Sequence, residues 1–295
     1  MKKNLINILS CPMDKYYPLE PYIFQESEEE ILSGIIICPK CLRWYPISEG
    51  VPEMLPDELR KEDDDKAFLR TWKSLLPFSL KPWLKQITNK TYTRETLDFY
   101  EKCALEFTLK ALKDIKNQVF EPLPQDHFLR ILYITELMKK VDWNNFLEIG
   151  SGLSPILEMY KGRFPESNTA ETYGIDVTRS FCWVAQKLQK IQSIRADWVF
   201  IPFKDKSFDL VVWSEGPEHA IDPDYVFQNI KNITKKFFIT SVPAWQYLIP
   251  GHLHIFSRES FEQRLSPFFE ITSLKVIDYP KEHPCWIVAL CQPKT

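Results

Sequence analysis

The spacing of hydrophobic and polar positions changes character twice along the 295-residue chain. In residues 1–60 the apolar runs are short and bounded by turn residues. Gly34–Cys38 (GIIIC) predicts a buried strand, and Arg43–Pro56 (RWYPISEGVPEMLP) predicts a strand, a turn and an exit. Asp57–Lys66 (DELRKEDDDK) is dense in charge and reads as a linker. Residues 67–140 take helical spacing. Leu97, Tyr100, Ala104, Phe107, Ala111 and Ile115 step by three or four, which places them on one apolar stripe packed on a core. Glu121–Asp126 (EPLPQD) interrupts this stretch, and a second helix is expected over His127–Lys140. From Asn145 onward the pattern alternates. Apolar runs at Phe146–Gly150, Thr172–Asp176, Ser207–Glu215 and Lys236–Pro243 are separated by helical stretches at 153–162, 178–190 and 222–235. Such alternation predicts right-handed βαβ units and a doubly wound, mostly parallel α/β sheet. Phe268–Pro280 and Cys285–Pro293 follow as two strand-like runs joined by a short loop, an antiparallel closing pair. The organisation expected is a β-rich module at 1–60, a helical connecting or lid region at 61–127 and an α/β domain at 128–295.

Composition narrows this picture. A content of 44% hydrophobic and 14% aromatic residues can fill a core, and the net charge of -3 gives no overall attraction to nucleic acid or anionic membrane. No apolar run reaches the length of about 18 residues needed to cross a bilayer, and the opening MKKNLINILSCP has too short an apolar stretch for a signal peptide. Seven cysteines, four of them scattered singly through apolar surroundings, do not make a disulfide framework. A cytoplasmic location is expected.

The most informative stretch is Leu147–Pro155 (LEIGSGLSP). A strand ends at Ile149, Gly150 and Gly152 allow a tight turn and close ligand approach, and a helix is expected near Leu153 with Ser151 or Gly152 as N-cap. Glu148 precedes the loop. Asp176 ends the next strand at about the 20-residue offset from which a carboxylate reaches ribose hydroxyls, and Asp197 ends the run after that. A dinucleotide fingerprint would want glycine where Pro155 stands. Over about Phe128–Pro293 the chain resembles the class I S-adenosylmethionine-dependent methyltransferases, through LEIGSG, GID and AD followed by IPFKDKSFDLVV. The resemblance implies a seven-stranded sheet with an antiparallel last strand. It also implies that Glu148, Gly150, Ser151 and Gly152 border the methionine part of the cofactor, that Asp176 holds the ribose, and that Asp197 and Trp198 meet the adenine. A related α/β fold binding another nucleotide is the other reading of the same residues.

Relatives in that family place substrate-facing groups after the fourth strand, where this chain has Ser214–Pro223 (SEGPEHAIDP). Glu218 and His219 are the catalytic candidates, His219 as a base or as a brace for the loop, and Glu215 faces the substrate pocket. Beyond the fifth strand, Trp245, Tyr247, His252 and His254 are expected to wall that pocket. His252 and His254 lack a third metal ligand nearby in the sequence. The Asn/Asp-Pro-Pro-Tyr motif of enzymes methylating planar nitrogens is replaced by Trp213-Ser214-Glu215-Gly216, which argues against that chemistry.

Near the N-terminus, Cys11-Pro-Met-Asp14 and Cys38-Pro-Lys-Cys41 are two knuckles of similar context, the first with aspartate where the second has cysteine. Either Cys11, Asp14, Cys38 and Cys41 hold a structural Zn2+, or the module is metal-free with Asp14 in a turn. Residues 4–60 resemble the small zinc-ribbon activator of tRNA, rRNA and release-factor methyltransferases. That resemblance implies that the ribbon docks, here within one chain, on the methyltransferase domain. It also hints at an RNA or translation-factor acceptor, whereas the loops beyond the fourth and fifth strands suggest a small molecule. Two other readings are a non-catalytic adaptor that keeps the fold, and an RNA-binding methyltransferase using Trp72, Trp83 and Arg94 as a platform.

Overall fold

The computed structural model describes residues 1–28, 30–76, 80, 85–117, 123–167, 170–244, 251–280 and 283–295. In chain order the strands are β1 (Glu20–Ser27), β2 (Glu30–Ile37), β3 (Trp44–Ser48), β4 (Val51–Pro52), β5 (Asn145–Ile149), β6 (Glu171–Asp176), β7 (Gln192–Arg195), β8 (Phe208–Ser214), β9 (Thr234–Pro243), β10 (Phe269–Asp278) and β11 (Pro284–Pro293). The α-helices are α1 (Glu62–Thr71), α2 (Arg94–Asn117), α3 (Gln125–Lys140), α4 (Pro155–Arg163), α5 (Arg179–Leu188), α6 (Pro223–Ile233) and α7 (Arg258–Leu265). Strands β1–β4 form an antiparallel meander, and a seven-stranded sheet runs β10-β11-β9-β8-β5-β6-β7. β8 is parallel to β5 and β9, whereas β11 is antiparallel to both β9 and β10. The expected doubly wound sheet with a reversed last strand is therefore present. No helix among the described residues is long and apolar enough to cross a membrane.

The chain divides into two compact units: residues 1–106 with 174–204, and residues 107–173 with 205–295. In the first, β3 and β4 are joined by Glu49 and Gly50, both left-handed at φ 51° and 83°. A Cβ at position 50 would lie 2.4 Å from the Gln186 amide and 2.8 Å from the Met1 nitrogen, so glycine is required there. Ile35, Ile37 and Trp44 make one buried cluster, covered by Tyr22, Phe24 and, from α1, Phe68 and Leu69. The Trp72 ring packs against Phe24 at a tilt, with centroids 5.3 Å apart, and Arg94 pairs with Asp98; Trp83 lies outside the described residues.

Two readings of the helical region need correction. Asp57–Lys66 is not a linker: a 3-10 turn at Asp57–Leu59 leads into α1, whose first turn carries Glu62, Asp63, Asp64 and Asp65. Four carboxylates there suit the positive end of the helix dipole. The charge is also internally matched. Buried Asp57 accepts a two-pronged bond from Arg43 at 2.8–3.1 Å, and Arg60 pairs with Asp65 at 2.7 Å while lying over the Trp44 ring. On α2, Leu97 and Ala104 are buried as expected, but Phe107 is 58% exposed and Thr108 is buried in its place. The buried positions 97, 104 and 108 follow eleven residues in three turns, a rotation that carries position 107 off the stripe. The side chain of Ile115 lies outside the described residues.

The ribbon is stitched to residues 192–204 from two sides within this unit. Its exit forms a parallel bridge, Glu53 to Arg195, with the Met54 N–H donating to the Arg195 carbonyl at 2.7 Å. Its N-terminal segment bridges Leu9 to Phe203, and the Ser10 N–H donates to the Pro202 carbonyl at 3.0 Å. Beneath the exit, nearly buried Arg195 pairs with Glu53 at 2.8 Å and with Glu101, and Glu53 also takes Arg179 at 2.8 Å.

In the second unit β8 is buried along Phe208–Trp213, the continuous apolar run of a strand covered on both faces. Asp209 interrupts that run; it accepts from the Asn144 N–H at 3.0 Å, and Lys236 lies 3.7 Å away. Phe146, Trp213, Phe227, Phe238, Phe261 and Phe269 fill the core. Ser257 and Ser260 cap α7 reciprocally.

Candidate functional site

The glycine loop lies in the second unit. Gly150 and Gly152 are left-handed at φ 64° and 50°, and Ser154 follows at φ 49°. The Ser154 N–H donates to the Ser151 carbonyl at 2.6 Å, and its hydroxyl donates to the buried Glu148 carboxylate. The helix therefore begins two residues later than its sequence suggests. Ser154 takes the N-cap position and Pro155 the first helical one, where a missing N–H costs nothing. Neither Ser151 nor Gly152 is the cap. The Ser151 hydroxyl is buried and has no hydrogen-bond partner among the described residues, an orphan that a polar ligand at this turn would satisfy.

Three other expected residues lie in the first unit. Asp176 ends β6, and its carboxylate accepts from the Thr178 N–H and hydroxyl at 2.8 and 2.7 Å. The Ala196 N–H donates to the Asp176 carbonyl at 2.9 Å, so the ends of β6 and β7 lie side by side. Asp197 is buried and caps the turn Trp198–Phe200, accepting from the Val199 N–H at 2.7 Å and the Thr91 hydroxyl at 2.6 Å. Burial drives its pKa up to about 6, against the pull of those two donors. Trp198 is half-buried, its ring set edge-on to Tyr92 at 5.5 Å. Thr91 was not expected; nothing in its sequence context marks a residue so far from Asp197.

The turn after β8 carries Glu215, Glu218 and His219. Glu215 is left-handed at φ 54° and pairs with buried Arg130, with His127 at 3.7 Å. Arg130 lies over the Trp286 ring at 4.1 Å. Both α3 residues escaped the sequence reading, although an arginine inside the apolar run HFLRILY was a legible signal. Glu218 is 1% exposed, and burial pushes its pKa up to about 8, with Glu215 adding to the rise and Arg130 opposing it. His219 Nδ1 is 2.8 Å from the Gly251 carbonyl. Across the loop beyond β9, the Leu253 and His254 N–H groups both donate to the Glu218 carbonyl at 2.7 and 3.2 Å. This sets the His252 ring edge-on to His219 at 4.7 Å, while His254 turns away to the Ala220 carbonyl at 2.9 Å. Burial, and then His219, lower the pKa of His252. Trp245 and Tyr247 lie outside the described residues.

The two cysteine knuckles share one backbone design. Lys15 N–H donates to the Cys11 carbonyl at 2.9 Å and Leu42 N–H to the Cys38 carbonyl at 2.8 Å, with Lys15 and Leu42 both left-handed at φ 59° and 61°. Each is closed by a second bond, from the Cys11 N–H to the Tyr16 carbonyl and from the Cys38 N–H to the Arg43 carbonyl, both 2.9 Å. Donor atoms of Cys11, Asp14, Cys38 and Cys41 all lie within 4.8 Å of one another. The Cys11–Cys41 sulfur separation is 3.7 Å, against about 3.8 Å for the edge of a tetrahedron with Zn–S bonds of about 2.3 Å. Burial pushes the Cys11 thiol well up and the Cys38 thiol to about 11, so a cation entering here displaces protons. Burial works against Asp14 ionising, but the Tyr16 N–H and the neighbouring thiols hold its carboxyl below the usual range. The donor set and spacing fit zinc.

Residues 2–50 match the Trm112p-like protein family and residues 147–237 the methyltransferase domain family. A UPF0434 protein of Methylobacillus flagellatus is 39% identical over 61 residues, 21% of this chain and 87% of that protein. Through its N-terminal ribbon the chain belongs to the UPF0434 family. A second member, from Nitrosococcus oceani, is 32% identical over 66 residues, 22% of this chain and 97% of its own. Among solved structures, the complex of the Haloferax volcanii Trm112 methyltransferase activator with a methyltransferase gives a TM-score of 0.42 at 16% identity, covering 52% of this chain and 82% of that one. The chain thus joins a Trm112-like UPF0434 ribbon to a segment that matches the methyltransferase domain family.

Proposed function

We propose that this protein is an active S-adenosylmethionine-dependent methyltransferase, with the ribbon acting in cis to brace the edge of its sheet. The observation that carries the reading is the series of buried carboxylates in successive strands of a methyltransferase domain: Glu148 in β5, Asp176 at the end of β6 and Asp197 just beyond β7. S-adenosylmethionine supplies an electrophilic methyl group on a sulfonium. Glu148, Gly150, Ser151 and Gly152 border its methionine part, and the unpartnered Ser151 hydroxyl is free to bond it. Asp176 takes the ribose hydroxyls. Asp197 accepts from the adenine amino group beside Trp198, since each carboxylate oxygen that already bonds Thr91 or Val199 keeps a lone pair.

The chain aligns the acceptor's nucleophile behind the S–CH3 bond, a proximity effect that accounts for much of the rate. Glu218 and His219 handle the acceptor's proton, and Glu215, Trp245, Tyr247, His252 and His254 wall its pocket. Cys11, Asp14, Cys38 and Cys41 hold a structural zinc. Covalent tethering keeps ribbon and enzyme at high effective concentration, so the Glu53–Arg195 contact need not be tight to stay formed. Calorimetric titration tests the reading: S-adenosylmethionine binds and Asp176→Ala abolishes the binding. Tighter binding of NAD than of S-adenosylmethionine would overturn it. Methyl-labelled cofactor incubated with fractionated extract then shows whether label enters RNA, protein or a small molecule.

A further inference from the structure

A second group of metal-ligating side chains stands in the second unit, apart from the ribbon. The backbone clamp between Glu218 and residues 253–254 gathers a Glu218 carboxylate oxygen, a His219 ring nitrogen and a His252 ring nitrogen within 4.8 Å of one another. His219 faces the Gly251 carbonyl, which can only accept, so Nδ1 carries the proton and Nε2 keeps a lone pair. That is the orientation in which a backbone carbonyl commonly fixes a ligating histidine.

The second observation concerns charge. Glu218 is 1% exposed, and its Oε2 has no hydrogen-bond partner among the described residues. The buried cation nearby, Arg130, is engaged by Glu215 and lies on Trp286. A buried carboxylate with an unsatisfied oxygen is costly, and a cation held jointly with two imidazoles removes that cost. We propose that Glu218, His219 and His252 bind a divalent first-row transition-metal cation.

One carboxylate and two imidazoles form the donor set of catalytic zinc and non-haem iron sites, with no thiolate to select Cu(I). Three protein donors leave coordination positions open, whereas the four donors of the ribbon would close a tetrahedron. Glu218 and His219 then act as ligands rather than as a free acid–base pair. On the methyltransferase reading, on which this clause alone rests, the acceptor taken by such a site carries a hydroxyl as its cation-binding group.

The test is a Zn2+ titration of the metal-stripped full chain by calorimetry, for the wild type, His252→Ala, Glu218→Gln and Cys38→Ser. His252→Ala is expected to lose a Zn2+ equivalent that Cys38→Ser retains. Glu218→Gln should weaken that equivalent at least about tenfold, the usual cost of disturbing a ligand shell. Unchanged melting temperatures of His252→Ala and Glu218→Gln, measured without metal, separate ligand loss from misfolding. If both variants bind as many equivalents as the wild type at wild-type affinity, or if Cys38→Ser removes all Zn2+ binding, the site is overturned. A wild type that loads this equivalent but binds no S-adenosylmethionine sinks the methyltransferase reading and leaves the metal site standing.

Discussion

The ribbon cluster, three thiols and a carboxylate, and the cluster beyond β8, two imidazoles and a carboxylate, are assembled in different ways. In the ribbon, each pair of donors lies within one knuckle, and the knuckle's own hydrogen bonds hold its shape: Cys11 to Lys15 in one, Cys38 to Leu42 in the other. Beyond β8, Glu218 and His219 are adjacent, but His252 arrives from a separate loop whose amides dock on the Glu218 carbonyl. The first design suits a closed site that holds a small domain together. The second leaves a cation open to another ligand and depends on two loops keeping their places.

Several measurements would sharpen or break this contrast, and we take them in falling order of effect. Cys38→Ser should unfold the ribbon, because metal binding contributes on the order of 10 kcal/mol to structural zinc modules; the loss would appear as a separate low-temperature transition in calorimetry. A ribbon that melts unchanged would show that its apolar cluster suffices without metal. Asp197 makes the first unit sensitive to pH. Its folded pKa of about 6 lies above its unfolded value, so the folded state holds the proton more tightly. Its own contribution to stability is greatest below about pH 4, declines as pH rises to about 6 and is then level, a loss of about 3 kcal/mol. Asp197→Asn should flatten that stretch of the profile. Glu53→Ala leaves buried Arg195 with Glu101 as its one remaining carboxylate and should cost about 2 kcal/mol, read as a fall in the chemical-denaturation midpoint. His252→Ala, on a half-buried loop, should change metal-free stability by less than about 0.5 kcal/mol; a larger loss would mean that the ring braces the loop.

The ribbon's resemblance to free-standing relatives adds a point about fusion. Its exit strand and its N-terminal segment both pair with residues 192–204, so the module gains backbone hydrogen bonds on two sides. A separate partner would have to form those bonds against the entropy of association, which a tether largely removes.

Much of this was legible in one dimension. Period-two and period-3.6 patterns, together with Gly150 and Gly152, mark the parallel strands, their helices and the glycine loop, because such features depend on neighbours in the chain. The charge-rich stretch at 57–66 was misread because pairing of Asp57 with Arg43 needs a contact between separate elements. The buried stripe on α2 passes through Thr108 rather than Phe107, a rotation that side-chain type alone does not report. His252 looked short of a third ligand because its partners lie more than thirty positions away in the chain.

Local patterning by itself therefore determined the order of strands and helices from Asn145 onward, the antiparallel closing pair, the two knuckles and the acids at the strand ends. Each follows from spacing, turn chemistry or side-chain polarity within a short stretch. The tertiary structure decided which charges are paired, that the ribbon lies along residues 192–204, and that Glu218, His219 and His252 converge. The physical reason is that hydrogen bonds, burial and coordination act over a few ångströms in space, and only the folded chain makes distant residues near.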